Sequence, residues 1–135
     1  MKFLLDTNTC IIYLKGKNLR LKQKLESTLI EDIAVCSIVK SELFYGSMKS
    51  ANPQRNLKRQ QDFLAQFRSL PFDDVAAMTF GTIRSQLEAS GSPIGAYDLQ
   101  IAAIALAHDL TLVTHNTKEF QRVNGLKIED WEVEN

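Results

Sequence analysis

The sequence has no apolar run that approaches the roughly 20 residues needed to cross a bilayer. Its first residues, Met1 to Asp6, reach a charged side chain too early for the apolar segment of a signal peptide. It has only two cysteines, Cys10 and Cys36, and they lack the Cys-x-x-Cys spacing of redox and zinc motifs. These absences predict a cytoplasmic protein, with no membrane association, whose two thiols are buried and reduced.

The sequence also lacks several signatures of catalysis. The two histidines, His108 and His115, are isolated, which excludes a His/Cys metal cluster. No glycine-rich phosphate loop is present, and no Ser-His-Asp arrangement is suggested by the spacing. We expect His115 to be an exposed turn residue rather than a metal ligand.

The sequence has no excess of charge, because 16 lysine and arginine residues balance 16 aspartate and glutamate residues. Basic side chains nevertheless cluster within Lys15–Lys24 and Lys49–Arg59, and Arg84 is a further candidate contact for phosphate. The end of the chain is acidic, at Glu129, Asp130, Glu132 and Glu134. Basic clusters suit a phosphate-backbone substrate, but they are also typical of solvated helix faces, and both interpretations remain open.

Short apolar runs alternate with helical segments along the chain, which is typical of an α/β fold. Strands are predicted at Lys2–Leu5, Ile33–Cys36, Ser69–Phe72 and Thr111–Val113, and within Gly125–Trp131. Helices are predicted at Cys10–Leu14, Leu19–Ile30, Ser37–Met48, Gln54–Gln66, Asp73–Ala89 and Tyr97–His108. In the helix at Asp73–Ala89, we expect Val75, Met78, Ile83 and Leu87 to point inward. This order predicts one domain over residues 1–135, with a mostly parallel sheet and helices on both faces.

The segment Pro93–Glu119 combines the most apolar predicted helix with several candidate site residues. The helix predicted at Tyr97–His108 has almost no polar face, so it should be buried nearly all round. Asp98 lies in its first turn, where a buried carboxylate is costly unless a cation meets it. Asn116 and Glu119 follow the next strand; their spacing also matches a capping box, which keeps a structural role open for Glu119.

Two more acids are predicted at element ends or on inward faces. Asp6 follows the first strand, at the edge where open α/β sheets bind ligands, although it could also simply cap the next helix. Glu42 shares a helical stripe with Ile38 and Tyr45, so we expect it to lie on the apolar face.

Asp6, Glu42 and Asp98 have no lysine or arginine directly beside them in the sequence. Several converging carboxylates would repel one another and be partly protonated. A divalent cation removes that conflict, and oxygen-only ligands favour Mg²⁺ or Mn²⁺ over zinc. The residues therefore predict a metal site.

Four segments together carry a family resemblance: FLLDTNTCIIYL, SIVKSELFYG, GSPIGAYDLQIAAIALA and LVTHNTKEFQRVNGLKIEDW. Over nearly its whole length the chain resembles the VapC-type toxins of the PIN-domain family. The resemblance implies that Asp6, Glu42 and Asp98 are acidic site residues. Many members have a fourth acid after the last of these strands, where this chain has Asn116, with Glu119 three residues further on.

The resemblance further implies a PIN-like fold and an endoribonuclease dependent on Mg²⁺ or Mn²⁺, with Asn8 and Thr114 supporting the site. It implies a homodimer, for which the apolar side chains of Phe63, Leu64 and Phe67 could be available. It also implies a VapB-type antitoxin that covers the acidic pocket, and binding to operator DNA only through the complex. Some relatives cut transfer RNA within the anticodon stem-loop.

We hypothesise that Asp6 and Asp98 hold Mg²⁺, with Glu42 as a direct or water-mediated ligand, and that metal-activated water attacks the RNA phosphate. Two alternatives remain. Asp6 followed by Asn8 faintly resembles the start of aspartyl-nucleophile phosphatases, which require a second aspartate where Asn8 stands. The third possibility is a PIN-like binding module that does not cleave, which Asn116 keeps open.

Overall fold

The computed structural model describes residues 1–133, so Glu134 of the predicted acidic tail lies outside the described residues. The strands are β1 (Phe3–Leu5), β2 (Ile33–Cys36), β3 (Arg68–Leu70), β4 (Thr111–Val113) and β5 (Ile128–Glu129). The helices are α1 (Thr7–Lys15), α2 (Leu19–Ser27), α3 (Ser37–Met48), α4 (Pro53–Leu64), α5 (Asp74–Ala89), α6 (Ala96–Ala107) and α7 (Thr117–Phe120). None of these helices has the length and apolarity that crossing a membrane requires.

The five strands form a single sheet in the order β3-β2-β1-β4-β5, and every pairing in it is parallel. This confirms the predicted fold class. The central strand β1 pairs with β2 on one side and with β4 on the other. Its Leu4 and Leu5 are completely buried, as a central strand covered on both faces requires.

Helix α6 is buried as the sequence predicts, with Ile101 to Ala105 entirely inaccessible to solvent. It packs against α5, and its alanines allow the close helix packing that a dense core needs. Because α6 leads directly into β4, the first turn of the helix and the end of the strand are tied to one core. Asp98 is therefore carried by a helix that is anchored in the core.

The parallel arrangement brings the carboxyl ends of all strands to one edge of the sheet. Asp6 follows β1 at that edge, and Thr114 follows β4 beside it. The backbone N–H of Asp6 donates to the carbonyl of Val113 at 3.1 Å, which fixes the two strand ends together. Gly16 ends α1 in the left-handed conformation at φ 71°, which turns the chain away from this edge.

Three details of the sequence prediction are wrong. Val75 and Met78 on α5 were expected to point inward, but their side chains are 61% and 79% exposed. At the start of this helix the buried face is the one that carries Ala76. The aromatic cluster at Phe63 and Phe67 is not available for a dimer interface, because both rings are buried in the core with Leu64. The last strand is shorter than expected, and Trp131 instead packs edge-on against Phe3.

Candidate active site

Asp6 lies at the start of α1 with only 5% of its surface exposed. Its side chain accepts a hydrogen bond of 2.8 Å from the backbone N–H of Thr9, so Asp6 does cap the helix. Burial raises the pKa of this carboxyl above its ordinary value, and hydrogen bonds with Thr114 and Thr9 oppose that rise. Capping occupies one carboxylate oxygen and leaves capacity on the other for a ligand.

Asp98 is the residue whose electrostatic environment includes the other predicted acids. It lies half-buried in the first turn of α6, and its pKa is raised to about 6, first by desolvation. The negative charges of Glu119, Glu42 and Asp6 raise this pKa further, as does a side-chain hydrogen bond with Glu119. Three carboxylates from distant parts of the chain therefore lie near Asp98, and we call the space that the four share the acidic cleft.

Glu42 reaches the cleft from α3, where its carboxylate accepts a hydrogen bond of 2.6 Å from the hydroxyl of Thr7. The expectation that it lies on the apolar face is wrong. Val39 and Leu43 form the buried face of α3, whereas Glu42 is half-buried and Tyr45 is exposed. Glu42 thus lies at the boundary between core and solvent, where a carboxylate is accessible to a ligand.

Asn116 and Glu119 interact directly, but not as a capping box. The Asn116 side chain makes no capping bond to α7, and its amide donates to the Glu119 carboxylate at 3.0 Å. The other Glu119 oxygen accepts a hydrogen bond of 3.4 Å from the backbone N–H of Gly95. These bonds place Glu119 beside Asp98 and the loop that precedes α6, which supports a site role for Glu119.

Three threonines hold the acidic cleft in place. Besides Thr7 on Glu42, the Thr9 hydroxyl donates to the carbonyl of Val113 at 3.2 Å. The buried Thr114 hydroxyl bonds to Asp6 and accepts a hydrogen bond of 3.0 Å from the backbone N–H of Asn116. Sequence reasoning identified Thr114 but missed Thr7 and Thr9. The available signal was the pair of hydroxyls that flank Asn8 directly after Asp6.

A second group of possible metal ligands borders the site. His115 is exposed, as predicted, but it is not isolated, because its Nδ1 donates to the Asp130 carboxylate at 2.8 Å. This hydrogen bond and the charge of Asp130 raise the pKa of His115, and the same charge raises the pKa of Asp6. Ligand atoms of His115, Asp130 and Glu132 all lie within 4.8 Å of one another. Sequence reasoning did not connect the acidic tail with this edge of the sheet.

The oxygen donors of the cleft suit a hard cation. Within residues 1–133, no lysine or arginine forms an ion pair with any of the four cleft carboxylates. The possible ligand atoms of Asp6, Glu42 and Asp98 do not all lie within 4.8 Å of one another, unlike those of the group that contains His115. An ion shared by all three would therefore use bridging waters, and Mg²⁺ usually keeps several of its waters.

Part of the basic surface lies close to the cleft. Lys15 and Arg59 line a cavity of about 310 Å³ together with Glu42. Other cations are engaged elsewhere: Arg84 pairs with Glu88, and Lys24 lies over the Trp131 ring. Lys15 and Arg59 are therefore better placed than Arg84 to meet a phosphate beside the acids.

Known proteins match this chain over nearly its whole length. The PIN domain family model matches residues 3–126. The chain is 40% identical to the tRNA(fMet)-specific endonuclease VapC of Salmonella typhimurium, covering 97% of this chain and 98% of that protein. It is 37% identical to ribonuclease VapC2 of Haemophilus influenzae, with the same coverage.

Solved structures give the same result. The DNA-bound VapBC from Salmonella typhimurium superposes with a TM-score of 0.92 at 40% identity, covering 97% of this chain and 98% of that chain. VapBC2 from Rickettsia felis, bound to a promoter DNA fragment, gives a TM-score of 0.88 at 34% identity, covering 97% and 99%.

Proposed function

The chain belongs to the PIN-domain family, with close relatives among the VapC ribonucleases, and we propose that it is a metal-dependent endoribonuclease that serves as the toxin of a toxin–antitoxin pair. The observation that carries this proposal is that the charges of Glu119, Glu42 and Asp6 raise the pKa of Asp98 at one edge of the sheet. Carboxylates that repel one another without a basic partner favour a cation, and a cation beside such a cleft can meet a phosphate.

We assign Asp6 and Asp98 as the main holders of Mg²⁺ or Mn²⁺, with Glu42 acting directly or through water and Glu119 completing the set. A bound ion of this kind would offset charge on the scissile phosphate and lower the pKa of a water molecule. The raised pKa of Asp98 means that its carboxyl is readily protonated near pH 6 when no cation is bound. Cleavage should therefore require the deprotonated form of Asp98.

The threonines and Asn116 act as positioning residues. Thr7 fixes the carboxylate of Glu42, and Thr114 links Asp6 to the backbone of Asn116. Asn116 in turn orients Glu119 through its amide. The place of the fourth acid found in many relatives is thus filled by a pair, in which Asn116 supplies a donor and Glu119 the negative charge.

The relatives point to transfer RNA as the substrate class. Proteins 40% and 39% identical to this chain are named tRNA(fMet)-specific endonucleases. We therefore propose that this chain cuts initiator transfer RNA, as a homodimer that a VapB-type antitoxin inhibits by covering the acidic cleft. Solved relatives include VapBC complexes on promoter DNA, and we extend operator binding through such a complex to this chain.

The chemistry of the cut ends tests the mechanism. Purified protein with Mn²⁺ or Mg²⁺ should cut initiator transfer RNA and leave a 5′ phosphate on one product, because the cleft supplies acids and no histidine placed as a base for the ribose hydroxyl. End-labelling and mass spectrometry of the fragments would show this. A 2′,3′-cyclic phosphate would contradict attack by water, and a phosphorylated Asp6 would favour the phosphatase alternative.

The hydrogen bond between Thr7 and Glu42 gives a second test. Thr7→Val keeps the size of the side chain but removes the donor, and we expect cleavage to fall about 10- to 100-fold, as is typical when a partner of a metal ligand is lost. Thr7→Ser, which keeps a hydroxyl, serves as the matched control and should retain most of the rate. Equal rates for the two variants would show that this bond does not position Glu42.

A further inference from the structure

Two exposed tyrosines flank the acidic cleft. Tyr45 is 64% exposed and Tyr97 is 59% exposed, which is unusual for large aromatic side chains. Both line one cavity of about 680 Å³, together with Thr7, Asn8 and Glu42. This size lies within the range of sites for small organic groups, roughly 300–1,000 Å³.

The position of each tyrosine follows from its neighbour in the chain. Tyr45 comes three residues after Glu42 on α3, so the two side chains share one side of that helix. Tyr97 immediately precedes Asp98 in the first turn of α6. The same backbone elements that position two of the site carboxylates therefore also position the two rings.

The folded chain itself does not account for this exposure. The other tyrosine, Tyr13, is packed against the ring of Phe63 with centroids 5.1 Å apart, and its hydroxyl bonds to Glu26. Tyr45, in contrast, is contacted on one side by the ammonium group of Lys49, 5.0 Å from its ring centroid. An aromatic ring that carries a cation at its face and opens into a cavity can accept a further planar group.

We propose that Tyr45 and Tyr97 stack on unpaired nucleobases next to the scissile phosphate, and this inference rests on the proposed endoribonuclease function. When no cation is bound, the four carboxylates repel a phosphate backbone, so attraction to RNA in that state must come from other groups. Stacking of a base on an aromatic ring is independent of backbone charge and of base identity, and replacing such a ring typically costs ~1–3 kcal/mol per base. Lys49 can contact the adjoining phosphate.

This arrangement selects the structural context of the cut. A base can stack on a protein ring only after it has left its own helical stack, so the cleft favours loops, bulges and single strands over duplex RNA. The neighbouring cavity shares Ile11 and Glu42 with this one and is also lined by Lys15 and Arg59. The RNA strand can therefore run from the two tyrosines, past the carboxylates, toward these two cations.

Binding without cleavage measures the stacking directly. The probe is a stem-loop RNA with the sequence of the initiator tRNA anticodon arm and 2-aminopurine in its loop, titrated with protein in EDTA. We expect wild type to change the 2-aminopurine fluorescence. Tyr45→Ala and Tyr97→Ala should each weaken binding about tenfold or more. Tyr45→Phe and Tyr97→Phe keep the ring and should recover most of the affinity.

Controls separate this inference from general effects. Leu29→Ala removes another apolar side chain, 67% exposed and away from the cleft, and should bind RNA like wild type. Thermal unfolding should be similar for all variants, because both rings are exposed. In cleavage assays the alanine variants should raise KM far more than they lower kcat.

The possible outcomes are distinguishable. Unchanged RNA affinity in both alanine variants, with cleavage intact, would overturn the stacking role and leave the nuclease proposal standing. Stacking without cleavage in Mg²⁺ or Mn²⁺ would instead overturn the nuclease proposal. Loss of binding to the cognate antitoxin, with RNA binding unchanged, would show that the rings bind a protein segment and would also overturn the inference.

Discussion

Asp98→Asn should reduce RNA cleavage by about 10³-fold or more, because a carboxylate that holds the catalytic ion contributes several kcal/mol to the transition state. The same variant should make the metal-free protein more stable at pH 8. Desolvation and three neighbouring carboxylates raise the pKa of Asp98 to about 6. An amide has no charge to desolvate and none to be repelled.

The sign of the pH dependence follows from this pKa. Folded Asp98 binds its proton more tightly than it does in the unfolded chain, where the ordinary value is 3.8. Between pH 3.8 and about 6 its contribution to the free energy of unfolding therefore falls as the pH rises. Above pH 6 the ionised group is destabilising, by ~1 kcal/mol once solvent screening of a half-exposed carboxylate is considered.

Urea unfolding of wild type and Asp98→Asn at pH 8 and at pH 4 measures this difference. The variant should be more stable at pH 8, and the advantage should shrink at the lower pH. Asp74→Asn is the matched control, since Asp74 also lies in the first turn of a helix but is not among the charges that raise the pKa of Asp98. It should cleave RNA normally and show no gain at pH 8. A fully active Asp98→Asn protein would remove Asp98 from the site.

Removal of divalent cations should abolish cleavage, and Mg²⁺ or Mn²⁺ should restore it. Binding should also raise the melting temperature of the protein, because an ion that relieves repulsion among the carboxylates binds only the folded state. At ion concentrations about 100-fold above Kd, a shift of ~10 °C is expected for a domain of this size. Differential scanning fluorimetry at constant ionic strength gives a readout independent of catalysis.

Two variants assign the ion to its site. Asp98→Asn should lose most of the thermal shift if the ion lies in the cleft. Glu132→Gln alters the other group of potential ligands, with His115 and Asp130, and should leave the shift in place. The reverse pattern would move the ion to the group around His115. Full cleavage in EDTA would contradict a metal-dependent mechanism altogether.

The sequence predicted those parts of the fold that depend on short-range pattern. Strands β2 and β4 have the predicted bounds, and α6 differs by one residue at each end. Each consists mainly of apolar side chains, and such segments have few alternatives to burial. The positions of Val75 and Met78 were predicted wrongly because apolar side chains occur on more than one face of α5. Packing against α6 decides which of these faces is buried.

The candidate site was predicted in the same uneven way. Asp6, Glu42 and Asp98 were identified because a carboxylate next to an apolar run is conspicuous in a sequence. The spacing of Asn116 and Glu119 left a capping box open as an alternative. In the structure the Asn116 amide instead donates to Glu119, which also accepts from the backbone N–H of Gly95. The hydrogen bond between His115 and Asp130 was not predictable, because no sequence pattern connects these two positions.

From the sequence alone one could determine the identity of the acids, the alternation of strands and helices, and the absence of any competing catalytic motif. Tertiary structure decided which acids lie near Asp98, in which direction their charges shift its pKa, and that Tyr45 and Tyr97 line the same cavity. The physical reason is range. Hydrophobic periodicity acts over a few residues, whereas desolvation and charge repulsion depend on distances that exist only once the parallel sheet has formed.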